Sequence, residues 1–175
     1  MPNHPQGLDL NEYLPYLINR VGSIMALRFG EDILAPVGLS IAMWRVLVAL
    51  SSTGEQRHTD LAALTSIEVS TLSRIVTRLV RMRFVARAPS KSSGREVAVA
   101  LTEPGRELVH QLIPFGLQYE TIASSGLSEQ EIATLRYLLR RIYGNLVEAA
   151  PLVLQKETPL AGRVRTRALM RVPAR

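Results

Sequence analysis

The sequence predicts a mainly α-helical chain with one small β-hairpin. Three observations lead there. Apolar residues recur at three- and four-residue spacing over most of the chain, the period falls to two only around residues 84–101, and capping residues stand where several apolar runs begin. At 175 residues, 47% hydrophobic and 21% charged, the chain is long enough for one compact unit with a core of its own. Its 11 glycines and 10 prolines, with charges of both signs, exclude a collagen-like or wholly disordered chain. No period of 20–50 residues repeats, which sets solenoids and propellers aside.

The first element is an amphipathic helix over residues 9–29, marked by Leu10, Leu14, Leu17, Val21 and Ile24. A loop with Pro36 and Gly38 follows. Ser40 caps a second helix carrying Trp44, Leu47, Val48 and Leu50, which stops near residues 51–54, where small polar residues and glycine favour a turn. Thr59 or Asp60 caps a short helix through Leu64. A turn over residues 65–68 changes direction, and Val69 or Ser70 opens another helix that ends near Met82.

The period then becomes two. Residues 84–88 and 96–101 are strand candidates, with Val97, Val99 and Leu101 on one face, and the six residues between, 89–94, are all compatible with a turn. Thr102 caps a long helix toward Ser124 in which Pro114, lacking an amide donor, is expected to cause a kink or break. Ser128 and Glu131 form a capping-box pattern ahead of an apolar stripe at Leu135, Leu138, Leu139, Ile142 and Leu146, and this last helix ends near Ala149. Residues 155–175 lack clean periodicity and are expected to form a mobile tail.

Charge is distributed unevenly. Residues 1–68 carry 4 basic and 7 acidic side chains, residues 69–95 carry 7 basic and none acidic, residues 96–155 again 4 and 7, and residues 156–175 carry 6 and 1. Two basic segments on an acidic-leaning body are the distribution expected when one face meets a polyanion. The helix after the turn sharpens this. Leu72, Ile75, Val76 and Leu79 form its apolar side, while Ser70, Ser73, Arg74, Thr77, Arg78 and Arg81 form an opposite side without a single acid. Small hydroxyl residues let a helix N-terminus approach bases and phosphates, and arginine bonds guanine or phosphate. Short helix, tight turn, polar-faced helix and basic-tipped hairpin, in that order, make a winged helix-turn-helix.

The string from His58, Thr59, Asp60, Leu61 and Ala62, through Ser70, Thr71, Leu72, Ser73 and Arg74, to Val85, Ala86 and Arg87, closing on Arg95, Leu101 and Thr102, resembles the MarR family of transcriptional regulators. Trp44, Arg45, Val46 and Leu47 before it, and residues 127–131 after it, look like that family's flanking helices, so the resemblance covers most of residues 10–150. It implies a homodimer whose first and last two helices intertwine and present two winged motifs to a pseudo-palindromic double-stranded operator. The organisation then expected is an N-terminal dimerisation helix over 1–35, a DNA-binding domain over 36–102, C-terminal dimerisation helices over 103–152 and a basic tail over 153–175. By the same resemblance Ser70, Thr71, Ser73 and Arg74 face the major groove, Thr77 and Arg78 the backbone, and Arg95 the minor groove, flanked by Ser90, Lys91 and Ser92. Two departures stand out. Ser93 replaces the aspartate usual two residues before the wing arginine, and Arg83 replaces the glycine that usually ends the recognition helix; there a left-handed residue costs about 1 kcal/mol more than glycine, and Arg83 gains a phosphate contact instead.

The resemblance also implies a repressor released by a small effector, a phenolic or aromatic carboxylate or an acyl-coenzyme A thioester of one. Candidate contacts are Tyr13, Tyr16 and Arg20 on the first helix, Trp44 and Arg45 on the second and His110 on the fifth, an aromatic wall with cations for a carboxylate. With no cysteine, thiol redox sensing is excluded. His4, His58 and His110 are scattered, and the chain lacks phosphate loops, dinucleotide fingerprints and nucleophile elbows, so an enzyme, a metal and a cofactor are not expected. No apolar run is long enough for a membrane helix and residues 1–7 lack a secretory pattern, which leads to a cytoplasmic expectation. The other class in play is a basic module that binds an acidic protein partner, or DNA without specificity, through residues 163–175.

Overall fold

The computed structural model describes residues 7–89 and 97–149. Two compact units result, Met1–Ser125 and Gly126–Arg175. The first begins with α1 (Leu14–Phe29), five residues later than the apolar spacing predicts. Residues 9–12 instead form a turn, with the Glu12 amide on the Asp9 carbonyl at 3.2 Å and the Asn11 amide on Asp9 Oδ1 at 2.9 Å. Pro15 explains the delay, because a proline fits the first helical turn and disfavours helix ahead of itself. The expected loop is helical too: a π-turn, Gly30–Leu34, runs into a 3-10 turn, Ala35–Val37, closed by left-handed Gly38.

In α2 (Ile41–Thr53) Ser40 Oγ accepts from the Met43 amide at 3.3 Å, the cap the sequence announces. A two-residue strand, β1 (Gln56–Arg57), follows, too short to leave a periodic signal. Because it holds the chain extended up to Arg57, α3 (His58–Thr65) starts at His58 without a side-chain cap, and Thr59 and Asp60 fall inside its first turn. Helix α4 (Val69–Arg81) precedes β2 (Val85–Pro89) and β3 (Val97–Leu101). The sheet order is β1-β3-β2, all antiparallel, with Arg87 opposite Val99 and Ala88 opposite Ala98. Being central, β3 buries Ala98 as well as Val99 between its neighbours, whereas Val97, grouped with Val99 on one face by the period, is exposed.

The core of this unit joins Leu34, Met43, Val46 and Leu47 to Leu61, Leu72, Val76 and Leu79, with Val85 and Val99 from the sheet and Val109 and Leu112 from α5 (Glu103–Ala123). Each such aliphatic side chain contributes about 1.5–3 kcal/mol by burial. Thr102 Oγ1 caps α5 on the Gly105 amide at 3.2 Å. Of the kink or break expected at Pro114, the break does not occur: the helix continues through it, giving up one backbone bond. In the second unit α6 (Glu129–Glu148) opens with the expected capping box: Ser128 Oγ accepts from the Glu131 amide at 3.3 Å and Glu131 accepts from the Ser128 amide at 2.7 Å. No residue of α6 is buried, and Leu135, Leu138, Leu139 and Leu146 are exposed. Among the described residues no single helix is long and apolar enough to cross a membrane. The basic tail lies outside the described residues.

Candidate nucleic-acid interface and effector cavity

The turn between α3 and α4 is a left-handed one built on Ser66, at φ 53°. The Ser66 amide donates to the Ala63 carbonyl at 3.2 Å and the Ile67 amide to the Ala62 carbonyl at 3.1 Å, which closes α3 and swings the chain into α4. Helix α4 then buries Leu72, Val76 and Leu79 and half-buries Ile75, as its spacing predicts, leaving Ser70, Ser73, Arg74, Arg78 and Arg81 exposed and Thr71 and Thr77 half-buried. Sequence reasoning missed what starts this helix. Glu68 is its N-cap, accepting from the Thr71 amide at 3.1 Å and from the Ser70 hydroxyl, both on Oε2. Those bonds, that of the Ser70 hydroxyl first, with help from the Arg74 guanidinium, hold the Glu68 carboxyl below its ordinary range.

Along the helix Arg74 Nη2 reaches Thr71 Oγ1 at 3.4 Å, and Thr71, Arg74 and Arg78 line a recess of about 290 Å³ with Ser40 and Met43 of α2. The Thr77 hydroxyl donates to the Ser73 carbonyl at 2.8 Å and accepts from Arg87 Nη2 at 2.9 Å. Arg87, on β2, is therefore a member of this face that reasoning by helical spacing could not reach. Just past the helix and its cap residue Met82, Arg83 takes the left-handed conformation at φ 62°. Its amide donates to the Val80 carbonyl at 2.9 Å and the Phe84 amide to the Leu79 carbonyl at 3.0 Å, a Schellman motif in which Arg83 stands where glycine is usual. Thr102 locks the far side, its hydroxyl on the Arg83 carbonyl at 2.6 Å. Ser90, Lys91 and Arg95 of the hairpin tip lie outside the described residues.

The second feature is a cavity of about 350 Å³ between α1, α2 and α5, lined by Phe29, Trp44, Arg45, Tyr119 and Glu120 with Met25 and Gly116 among them. Phe29 meets Trp44 at a centroid distance of 5.7 Å and Tyr119 edge-on at 5.4 Å, so three rings form one wall. The Tyr119 hydroxyl donates to Asp32 in the π-turn, which, ahead of desolvation, raises the phenol's pKa. Of the candidate effector contacts, Trp44 and Arg45 line this cavity. Tyr13, Tyr16, Arg20 and His110 do not line the cavity: on α1 the lining begins at Gly22 and on α5 at Gly116, so these four lie before it, and Phe29 and Tyr119 take their place. A lone aromatic near a helix end gave no signal for either.

A family model described as MarR family matches residues 39–97, the stretch from the start of α2 to β3. The multiple antibiotic resistance protein MarR of Escherichia coli is 30% identical over 118 residues, covering 66% of this chain and 81% of that protein. The chain belongs to the MarR family. Two solved structures extend the comparison over the fold. One, concerned with regulation of DNA binding of Bordetella bronchiseptica BpsR by 6-hydroxynicotinic acid, superposes with TM-score 0.70 at 27% identity, covering 82% of this chain and 99% of that one. The other, a mutant of Escherichia coli MarR complexed with operator DNA, gives TM-score 0.65 at 29% identity over 78% of this chain and 99% of that one. This chain is thus a MarR-family winged-helix transcriptional regulator, with α3 and α4 as its helix-turn-helix and β2–β3 as its wing. The matched relatives are regulators rather than enzymes, and among the described residues no group of three histidine, aspartate or glutamate side chains could hold a metal.

Proposed function

We propose that the chain represses transcription as a homodimer bound to a pseudo-palindromic operator, and that a small aromatic carboxylate in the α1–α2–α5 cavity releases it. The observation that carries this is the acid-free exposed face of α4 together with an arginine-bearing, three-ring cavity in the same unit. Ser70, Thr71, Ser73 and Arg74 address the major groove. Thr77, Arg78, Arg83 and Arg87 address phosphates, with Ser90, Lys91 and Arg95 completing the wing contact. Exposed Leu14, Val21 and Leu27 on α1, Phe115 and Ile122 on α5 and Leu135 and Leu146 on α6 supply the apolar surface that a second copy covers. The functional divisions proposed are 1–35 and 103–152 for dimerisation, 36–102 for DNA and 153–175 as a basic extension.

Binding of 6-hydroxynicotinic acid, the effector named for the Bordetella relative, fits a wall of Phe29, Trp44 and Tyr119 closed by Arg45, which pairs with a carboxylate. Titration of the protein against its own upstream DNA and an unrelated duplex by fluorescence anisotropy, across several salt concentrations, tests the reading. Specific binding about 10³-fold or more above the unrelated duplex supports it, with half-sites roughly 10 bp apart. Equal and steeply salt-dependent binding to every duplex overturns it. Trp44 is the only tryptophan, so quenching of its emission by 6-hydroxynicotinate or benzoate reports cavity occupancy directly.

A further inference from the structure

The recognition face is acid-free from residue 69 onward, yet its first turn is closed by a carboxylate. Glu68 is exposed, and its carboxylate accepts from the Ser70 hydroxyl and the Thr71 amide on Oε2 and is also bonded by the Ser70 amide; four acceptor sites on two oxygens still leave room for one donor from outside. Two side chains bond Thr71: Glu68 accepts from its amide, and Arg74 donates to its hydroxyl. An acceptor-only group and a five-donor fork thus stand within two turns of each other at the end of the helix that enters a major groove first. A carboxylate there is repelled by phosphate. Of the groups that the groove offers, it is satisfied by an exocyclic amino group, and the amino edge of cytosine is the usual partner of Glu. The same base pair offers Arg74 the guanine O6 and N7. The Ser70 hydroxyl donates to Glu68 and steadies this carboxylate, while its own lone pairs still face the groove.

We propose that Glu68 determines specificity: its carboxylate accepts a hydrogen bond from the N4 amino group of a cytosine in each half-site, beside the guanine addressed by Arg74. The proposal rests on the operator-binding reading above and deepens it.

The test is parallel selection from a randomised duplex pool by the full-length wild type, Glu68→Ser and Glu68→Gln, with thermal melting of each. Serine keeps a capping oxygen while removing the carboxylate, and glutamine keeps the length. The wild type is expected to enrich a motif with one position per half-site restricted to cytosine. Glu68→Ser should lose that restriction by about tenfold or more, with the other positions unchanged, and Glu68→Gln should move it toward adenine, whose N6 and N7 pair with an amide. An unchanged cytosine position in both variants overturns the proposal, as does uniformly tighter binding to all sequences, which would make Glu68 a source of repulsion only. A wild type that enriches no motif at all overturns the operator-binding reading with it, so the two failures are distinct.

Discussion

Arg87 on β2 donates to the Thr77 hydroxyl on α4 at 2.9 Å, tying the base of the wing to the middle of the recognition helix. The partner is neutral, so the bond fixes the guanidinium without cancelling its charge. Thr77 in turn is held by the Ser73 carbonyl at 2.8 Å. A planar fork held in this way, beside the basic face of α4, suits a phosphate contact. Arg87→Ala is expected to weaken binding to all duplexes alike, roughly five- to tenfold, and to lower the slope of log K against log salt by about 1. Arg87→Lys should keep the slope and recover only part of the affinity. A loss confined to one base position would make Arg87 a base reader instead.

Arg83 holds a left-handed backbone that glycine adopts at no steric cost. Arg83→Gly should therefore stabilise the domain by up to about 1 kcal/mol in denaturant unfolding while weakening DNA binding and its salt dependence. Opposite movement of the two quantities separates the backbone role from the phosphate role. Parallel movement would show that the side chain contributes to the fold.

Gly105 has no room for a side chain. A Cβ there would stand 2.0 Å from the Phe84 carbonyl oxygen, at the seam where α5 packs under the end of the recognition helix. Gly105→Ala should cost about 1–3 kcal/mol or more, because the obstacle is backbone rather than the flexible tip of a side chain. Chemical denaturation measures it; a change below about 0.5 kcal/mol would mean that the seam gives way easily.

Glu68 and Glu131 both cap helices, and in both the hydrogen bonds to the carboxylate hold the pKa below its ordinary value of 4.5. A group depressed in the folded state contributes stability above its unfolded pKa and loses it as pH falls through the folded one. Acidification below about pH 5 should thus weaken the starts of α4 and α6. Glu131→Gln keeps a capping box without a titrating group, so its acid transition should be flatter than that of the wild type in circular dichroism scanned against pH. An identical acid limb would place the sensitivity in other carboxylates.

Much of this architecture was legible because its causes are local. Ser40, Thr102 and Ser128 cap the helices they precede, since the next amides are within reach of their own hydroxyls. The two faces of α4 follow from period alone. Misreadings came where a neighbour in space outweighed the neighbour in sequence. The extended strand β1 moved the start of α3. The cap at Glu68 gave no such signal, because glutamate is not among the residues that usually cap a helix.

The sequence by itself determined a helical chain with a wing, an acid-free recognition face and a set of residue types suited to DNA, because periodicity, capping and charge act over a few residues. Tertiary structure alone decided which side chains from distant segments meet. Arg87 joins Thr77 across ten residues, and Thr102 holds the turn at Arg83 across nineteen. Phe29, Trp44 and Tyr119 close one cavity wall from three helices. Such contacts depend on how helices and strands pack, which no local pattern encodes.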